Sequence, residues 1–251
     1  TAEDALHDKE VESLLSSEVL SRFDVQINVT AQKVMSGTDD LGSGSLKAAL
    51  KEGRFSIDPV KLNIPGGSFV FATSIKPDRE ASEASVRAVV ENFDFGALVR
   101  RANPEANMGG IINLDVDLKS TASSFDELMA NSSGHFDFSG RLENLGAGII
   151  DLWAVNLIAA IVTREGEEKS QINCVIGRWT MEDGLLKPEV FLIDTTKIRI
   201  CGKGKIDFKE KQIDIGVAPT PKKPEFFSLA TPVEVKGSFE EFDLGIQAGG
   251  L

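Results

Sequence analysis

Apolar residues at every second position, in short runs separated by turn residues, constrain the fold of this chain more than any other feature. Residues 53–75 contain three such runs, which are Phe55 and Ile57, then Val60, Leu62 and Ile64, then Phe69 and Phe71. An Asp-Pro step separates the first two runs, and a Pro-Gly-Gly step separates the second from the third. Alternation of this kind between Gly and Pro residues predicts three half-buried β-strands joined by two tight turns.

The same pattern recurs from residue 23 almost to the end of the chain and predicts about 14 strands in all. Residues 37–44 are rich in Gly, Ser and Asp, and we interpret them as a polar loop. So many strands with so few helices exceed what one flat sheet accommodates, so the sheet should curl. The expected fold class is mostly β, a long and strongly curved antiparallel meander. We interpret residues 1–251 as a single domain with two internal repeats of about 23–120 and 121–247.

Helices are expected at only a few places. Apolar residues at helical spacing predict a short amphipathic helix in residues 1–22, and the alanine-rich apolar run 145–163 predicts the strongest helix of the chain. Short helices or turns are expected at residues 93–101, at 123–131, where a serine suits the N-cap, and at 226–229.

Charge and cysteine content exclude several functional classes. The formal net charge is −12 and the pI is near 4.7, whereas binding to a phosphate backbone needs clustered Lys and Arg. A nucleic acid is therefore not expected as a partner. The two cysteines, Cys174 and Cys201, are too few for a disulfide framework or a metal knuckle. We interpret them as small buried apolar residues, and a single bridge between nearby strands is the alternative.

The sequence contains no segment typical of a signal peptide or a membrane span. The longest apolar run, residues 148–162, contains Asp151 and Asn156 and is too short to cross a bilayer. The chain starts at Thr1 rather than Met, which indicates that a leader was removed or that a longer protein continues upstream. Any membrane anchor is therefore expected in a segment outside this sequence.

A search for catalytic or metal-binding motifs finds none. The two histidines, His7 and His135, have no partners at metal-ligand spacing, and no GxSxG, Walker or HExxH motif is present. Asp115 and Asp117 alternate with apolar residues, so they are expected on the solvent face of a strand. We expect no enzymatic activity, no cofactor and no metal.

The sequence predicts many strands that are apolar on one face and few helices to pack against them. The apolar face of the sheet must therefore be covered in another way, by the protein itself or by a ligand. If ten inward positions each exposed about 100 Å², the patch would approach 1000 Å², well above the few hundred typical of a soluble monomer. The sheet closing on itself, the helix at residues 145–163, or a ligand with long apolar chains could each fill it. The composition of 15 Phe and no Tyr favours a dry lining.

Several segments, in this order, closely resemble the C-terminal region of AsmA-like proteins of Gram-negative envelopes. They are GRFSIDPVKLNIPGG, FDFGALV, a strand led by two glycines, SSFDELMANSSGHFDFS, the apolar run from residue 145, INCVIGRWTMEDGLLKP, ICGKGKIDFKEKQIDIGVAP and TPVEVKGSFEEF. The resemblance covers nearly the whole chain from residue 23 onward. It implies an inner-membrane-anchored periplasmic protein whose sheet forms a long hydrophobic, β-taco-like groove, similar to chorein-type bridge carriers of lipid. The family supplies no catalytic residues.

The leading hypothesis is therefore a non-enzymatic groove that binds and conducts phospholipid, or another ligand with acyl chains, between the inner and outer membranes. The alternative is a periplasmic scaffold that binds envelope proteins and influences outer-membrane protein assembly, with the apolar face closed as a β-sandwich core. Twelve residues are expected to line the groove: Val25, Ile27, Phe55, Ile57, Phe69, Phe71, Leu114, Val116, Ile198, Ile200, Ile206 and Phe208.

Overall fold

A computed structural model of the chain describes residues 24–78, 81–124, 127–144, 171–223 and 232–246. These residues form one antiparallel sheet of thirteen strands, and each strand pairs only with its neighbours in sequence. The strands are β1 (Val25–Ser36), β2 (Asp39–Lys51), β3 (Arg54–Ile64), β4 (Gly67–Lys76), β5 (Ser82–Asp94), β6 (Gly109–Ala122), β7 (Ser133–Glu143), β8 (Ile172–Glu182), β9 (Leu185–Thr195), β10 (Ile198–Asp207), β11 (Gln212–Pro221), β12 (Val233–Ser238) and β13 (Phe242–Ile246).

The predicted fold class, a mostly β, strongly curved antiparallel meander forming a hydrophobic groove, is confirmed. The sheet is open, because β1 and β13 are its two edges and do not pair with each other. Within the described residues no second sheet packs on the first. A closed β-sandwich core, as the alternative hypothesis required, is therefore wrong for this part of the chain.

The strand register carries one apolar face across the whole sheet. Val25 of β1 pairs with Leu50 of β2, which pairs with Phe55 of β3, which pairs in turn with Ile75 of β4. Directly paired residues of antiparallel strands point to the same side of a sheet. Following the pairs from strand to strand places a row of apolar or small neutral residues from each of the thirteen strands on the same side, whereas Ile176, Val190 and Leu192 of β8 and β9 lie on the opposite side. We call this side the apolar face and the opposite side the polar face.

The Asp-Pro step in residues 53–75 is a bulge rather than a turn. β3 is one continuous strand, and its register shifts between Ile57 and Val60 against β4 and between Asp58 and Lys61 against β2. Two residues of β3 there oppose one residue of the partner strand, which resets the alternation so that the apolar residues on both sides of the bulge share one face. Pro59 is tolerated because a bulged residue does not donate a hydrogen bond to the ladder.

The polar loop predicted at residues 37–44 is wrong, because β2 already begins at Asp39. Only Gly37 and Thr38 separate β1 from β2. Gly42 has a φ of +103°, and a Cβ there would lie 2.0 Å from the carbonyl oxygen of Asn63. The glycine therefore lets two strand backbones approach closely, and a loop-like composition conceals a strand.

Two helices interrupt the described part of the meander, and both were predicted. The helix α1 (Phe95–Ala102) follows β5, and its N-cap Asp94 accepts a hydrogen bond from the backbone N–H of Ala97 at 3.3 Å. The helix α2 (Glu127–Ala130) precedes β7. The Glu127 carboxylate accepts hydrogen bonds from the backbone N–H of Ser123 at 3.0 Å and from its Oγ at 2.5 Å. These two bonds hold the pKa of Glu127 below its ordinary value of 4.5, the side-chain bond contributing most.

The buried residues lie on the apolar face. Among the residues that the structure describes, seven hydrophobic side chains are buried, and the register places all of them on this face: Leu50, Phe93, Ala122, Ile172, Met181, Ile198 and Ile200. The helices predicted at residues 1–22, 145–163 and 226–229 fall outside the described residues. The division into two internal repeats stays a prediction.

Candidate functional site: the apolar face

The apolar face is a continuous nonpolar surface. Outside the tip of the β1–β2 hairpin, where the register shifts twice, no paired position on this face in the described strands carries a charged side chain. The few polar residues among them, such as Thr73 and Ser120, are neutral. Twelve steps between neighbouring strands, each of about 4.8 Å, give the surface a length of about 58 Å along the sheet.

Exposure varies along this surface. The side of the sheet near β1 is open, and Ile27 there is 51% exposed. Phe71 on β4 is 38% exposed, whereas Ile200 on β10 is only 8% exposed. Near β1 to β3 the face contains a nonpolar depression of about 230 Å³, lined by residues that include Val29 and Leu62. Buried and exposed positions therefore both occur along this face, since Leu50 on β2 is buried and Phe242 on β13 is 51% exposed.

The register places the predicted lining residues together. Eleven of the twelve lie within strands on the apolar face, namely Val25, Ile27, Phe55, Ile57, Phe69, Phe71, Leu114, Val116, Ile198, Ile200 and Ile206. The twelfth, Phe208, directly follows β10, and its ring packs edge-on against Phe239 with 5.5 Å between the ring centroids. Ile198 and Ile200 are buried, and the others vary from half-buried to exposed. Their role in binding lipid stays a prediction.

Four aromatic residues in the middle of the face were missed by the sequence-based list. Phe136 and Phe138 on β7, Trp179 on β8 and Phe191 on β9 all lie on the apolar face. The ring of Trp179 lies 5.1 Å from that of Phe136 and 6.0 Å from that of Phe191, measured between centroids. We call these four residues the aromatic stretch. The signal that could have found Phe136, Phe138 and Trp179 is the presence of glycines on the same strands, because an aromatic ring can cover a residue without a side chain.

Comparison with known proteins identifies the family. The AsmA family model matches residues 3–191 of the 251-residue chain. The chain belongs to the AsmA family. It is 22% identical over 233 residues to the AsmA family protein YhjG of Escherichia coli (strain K12). The match covers 91% of this chain but 34% of the relative, so the chain spans about a third of the relative's length.

The resemblance found in the sequence is thus confirmed at the level of the family. No solved structure matches the chain. Membership of the AsmA family suggests a role in lipid transport or assembly in the cell envelope.

The polar face of this AsmA-family sheet carries balanced charges. Asp115 and Asp137 lie directly opposite each other on β6 and β7, an arrangement that is repulsive by itself. Arg178 donates from Nε to Asp137 at 3.1 Å, and the Arg87 guanidinium lies 4.0 Å from Asp115 and 2.8 Å from Asp117. These pairs are largely exposed, so each contributes at most about 1 kcal/mol. They offset part of the repulsion between Asp115 and Asp137.

One carboxylate on the polar face is held by three strands. Asp194 on β9 accepts hydrogen bonds from Asn173 Nδ2 at 2.9 Å, Lys222 Nζ at 2.8 Å and Arg199 Nε at 3.3 Å. Partial burial by itself would raise the pKa of Asp194, but these hydrogen bonds and the positive charge of Lys222 outweigh burial and hold the pKa below 3.8. The cluster ties β8, β10 and β11 to β9.

The other residues that could carry chemistry, which are the two cysteines and His135, do not lie together in one site. Cys174 and Cys201 are free thiols on β8 and β10, with β9 between them. Cys174 is half-buried and Cys201 is exposed, so their interpretation as small buried residues is wrong. Two strand spacings amount to about 10 Å, beyond the reach of a disulfide, so the alternative of a bridge is wrong.

His135 Nε2 lies 3.5 Å from Asp115 Oδ1 on the exposed polar face. Among the described residues no group of three or more His, Cys, Asp or Glu side chains could hold a metal ion, and no helix is long and apolar enough to cross a membrane.

Proposed function

We propose that this chain is a non-enzymatic groove that binds phospholipid acyl chains on its apolar face and conducts them between the inner and outer membranes. The observation that carries the proposal is the unbroken apolar face, which runs across thirteen strands of an open sheet. A soluble monomer does not normally expose such a surface, so a large contiguous apolar face indicates a ligand or a partner.

The length and the dryness of this face suit acyl chains. Half of the hydrocarbon core of a bilayer is about 15 Å thick, so a path of about 58 Å accommodates several chain lengths in succession. Each methylene removed from water contributes about 0.8 kcal/mol, so a path without charged side chains avoids large barriers between sites. The chain contains 15 Phe and no Tyr, which leaves few side-chain hydroxyls on aromatic rings to compete for hydrogen bonds.

The open edge of the sheet suits a phospholipid better than a fully apolar molecule. An open groove lets the acyl chains lie on the apolar face while the charged headgroup stays in water, which avoids the large cost of burying a charge. A closed barrel of the same strands would have to bury or exclude the headgroup. Phospholipid is therefore the ligand that we propose.

Membership of the AsmA family supports a proposal for the cellular setting. We place the chain in the periplasm, attached to the inner membrane through a segment outside this sequence. A scaffold role toward envelope proteins stays as the second prediction, and it now requires binding by an open sheet rather than a closed sandwich.

Lipid extraction and mass spectrometry after detergent-free purification test this function. The wild-type chain should carry phospholipid, or take it up from vesicles of phosphatidylethanolamine and phosphatidylglycerol. Phe71→Asp puts a charge on the apolar face and should reduce the bound phospholipid per chain while leaving the circular dichroism spectrum unchanged. The matched control is Ile176→Asp, because Ile176 lies on the polar face and is 40% exposed, close to the 38% of Phe71.

The proposal predicts that the Ile176→Asp control retains its lipid. Absence of phospholipid from the wild-type chain both as purified and after incubation with vesicles would contradict the proposal. Equal loss of lipid from both variants would also contradict it, because binding would then not depend on the apolar face.

A further inference from the structure

The ring of Trp179 lies where a side chain of Gly177 would be. A Cβ built on Gly177 would lie 1.8 Å from Cη2 of Trp179 and 2.1 Å from Cζ3. Gly177 and Trp179 are two positions apart on β8, so both face the groove. The six-membered ring of Trp179 therefore lies against the sheet, directly over the backbone of Gly177.

A second ring is seated in the same way one strand further on. A Cβ on Gly202 of β10 would lie 2.2 Å from Cδ1 of Phe191 and 3.0 Å from its Cε1. Phe191 belongs to β9, and it is paired with Gly177 across the β8–β9 ladder. Gly177, Phe191 and Gly202 thus lie side by side on β8, β9 and β10 on the apolar face.

Backbone strain does not explain these two glycines. Gly134 and Gly204 have φ of +146° and +139°, and a Cβ there would lie 1.9 Å and 2.0 Å from a carbonyl oxygen of the neighbouring strand. Gly177 and Gly202 are not among the residues with positive φ, and the nearest atoms to a Cβ at either belong to an aromatic side chain. Their backbones suit any residue, so the rings alone require glycine there.

We infer that Gly177 and Gly202 set the clearance of the lipid path at the aromatic stretch by leaving room for the rings of Trp179 and Phe191 against the sheet. The inference rests on the proposed lipid-conducting function and names two positions that determine it. An alanine at either position leaves the strand intact and displaces a ring, because a side chain can rotate about χ1 whereas the ladder backbone cannot move. A ring that rotates away from the sheet projects into the groove and occupies the path of an acyl chain.

Site-specific photo-crosslinking to phospholipid tests this inference. A photoreactive phenylalanine analogue replaces Phe138, which is paired with Gly177, or Phe71, which lies on β4 away from the aromatic stretch. Each labelled chain is made with and without Gly177→Ala, incubated with phosphatidylglycerol vesicles and irradiated. The yield of lipid adduct at Phe138 should fall about fourfold for each methylene that the raised ring displaces, and the yield at Phe71 should not change.

Three further variants test whether the loss of lipid adduct arises from displacement of an aromatic ring or from a general disturbance of the sheet. Gly202→Ala should give the same local loss, and it replaces Gly177→Ala if that variant does not fold. Gly245→Ala is the matched control, because a Cβ at Gly245 has nothing within 4 Å. Adding Trp179→Ala to Gly177→Ala should restore the yield at Phe138, since the ring that blocks the path is then absent.

The outcomes distinguish this inference from the proposed function. Unchanged adduct at Phe138 in both glycine variants would overturn the inference and leave the lipid function standing. A loss that Trp179→Ala does not restore would also overturn it, because the effect would then not act through the ring. Absence of adduct at both positions of the wild-type chain would overturn the proposed function and this inference with it.

Discussion

Two isoleucines on the same face allow the openness of the groove to be measured as a difference in stability. Ile27 on β1 is 51% exposed and Ile200 on β10 is 8% exposed, and the register puts both on the apolar face. The perturbation is the same substitution, isoleucine to aspartate, at each position. The two positions match in residue type and in face of the sheet. We therefore expect the two losses of stability to differ chiefly because the two side chains differ in burial.

The magnitudes follow from burial. Full burial of an isoleucine contributes about 1.5–3 kcal/mol, so Ile200→Asp loses most of that amount and also places a carboxylate where it has no partner. We expect a total loss of about 4–5 kcal/mol or more, which is at the upper end for single substitutions. Ile27→Asp loses about half of the burial and keeps its carboxylate hydrated, and aspartate is also unfavourable in strands. We expect a loss of about 1–2 kcal/mol.

Urea unfolding followed by circular dichroism measures both values. At a slope of about 3 kcal/mol per molar urea, a gap of about 3 kcal/mol separates the two midpoints by about 1 M. Ile27→Val and Ile200→Val are the matched controls, and each should cost no more than about 1.5 kcal/mol. If Ile27→Asp destabilises the chain as much as Ile200→Asp does, the apolar face is closed at β1, and the reasoning from an open groove is refuted.

Three further predictions concern the framework of the sheet. Asp194→Asn should lower the free energy of unfolding by about 1–3 kcal/mol near neutral pH in urea melts, because it removes charge-assisted hydrogen bonds. Since the folded pKa of Asp194 is depressed below 3.8, its contribution is complete above that value and is lost as the pH falls through the folded pKa, so wild type and variant should converge in acid. Gly134→Ala should cost several kcal/mol in thermal unfolding, because its Cβ would lie 1.9 Å from a backbone oxygen, whereas Gly245→Ala should change little. Arg178→Ala should change the stability by less than about 1 kcal/mol, and a larger loss would show that its exposed pair with Asp137 is more than a surface interaction.

Alternation in the sequence was sufficient to predict the class of fold and the face that each lining residue occupies. In residues 25–31 of β1 and 112–118 of β6 the apolar and polar residues alternate without interruption, so the period of two fixes which side chains share a face. Pro65, Gly66 and Gly67 are residues that favour a tight turn, so the connection between β3 and β4 could also be predicted from the local sequence. Helix α1 was predictable because the Asn103-Pro104 step disfavours helix beyond it.

The predictions that failed depended on contacts between strands that are distant in sequence. Asp58-Pro59 looks like a turn locally, but pairing with β2 and β4 makes it a bulge. The glycines of β2 look like a loop, and the close approach of β3 explains them.

The aromatic stretch escaped the sequence for a related reason. In β8 the apolar residues Ile172 and Ile176 suggest one phase, yet a register shift after Ile172 puts Trp179 on the apolar face and Ile176 on the polar one. Gly202 and Phe191 are separated along the chain and meet only across the β9–β10 pairing. Neither relation is visible in local alternation.

The most direct test of the central claim compares photo-crosslinking to phospholipid from the two faces of the sheet. A photoreactive residue replaces Phe71 or Ile206 on the apolar face, or Ile176 or Val190 on the polar face, and all four chains are mixed with the same phospholipid vesicles. Phe71 and Ile176 are 38% and 40% exposed, so accessibility does not bias that pair. The account predicts lipid adducts from Phe71 and Ile206 and none above background from Ile176 and Val190. Equal adduct yields from the two faces would contradict it.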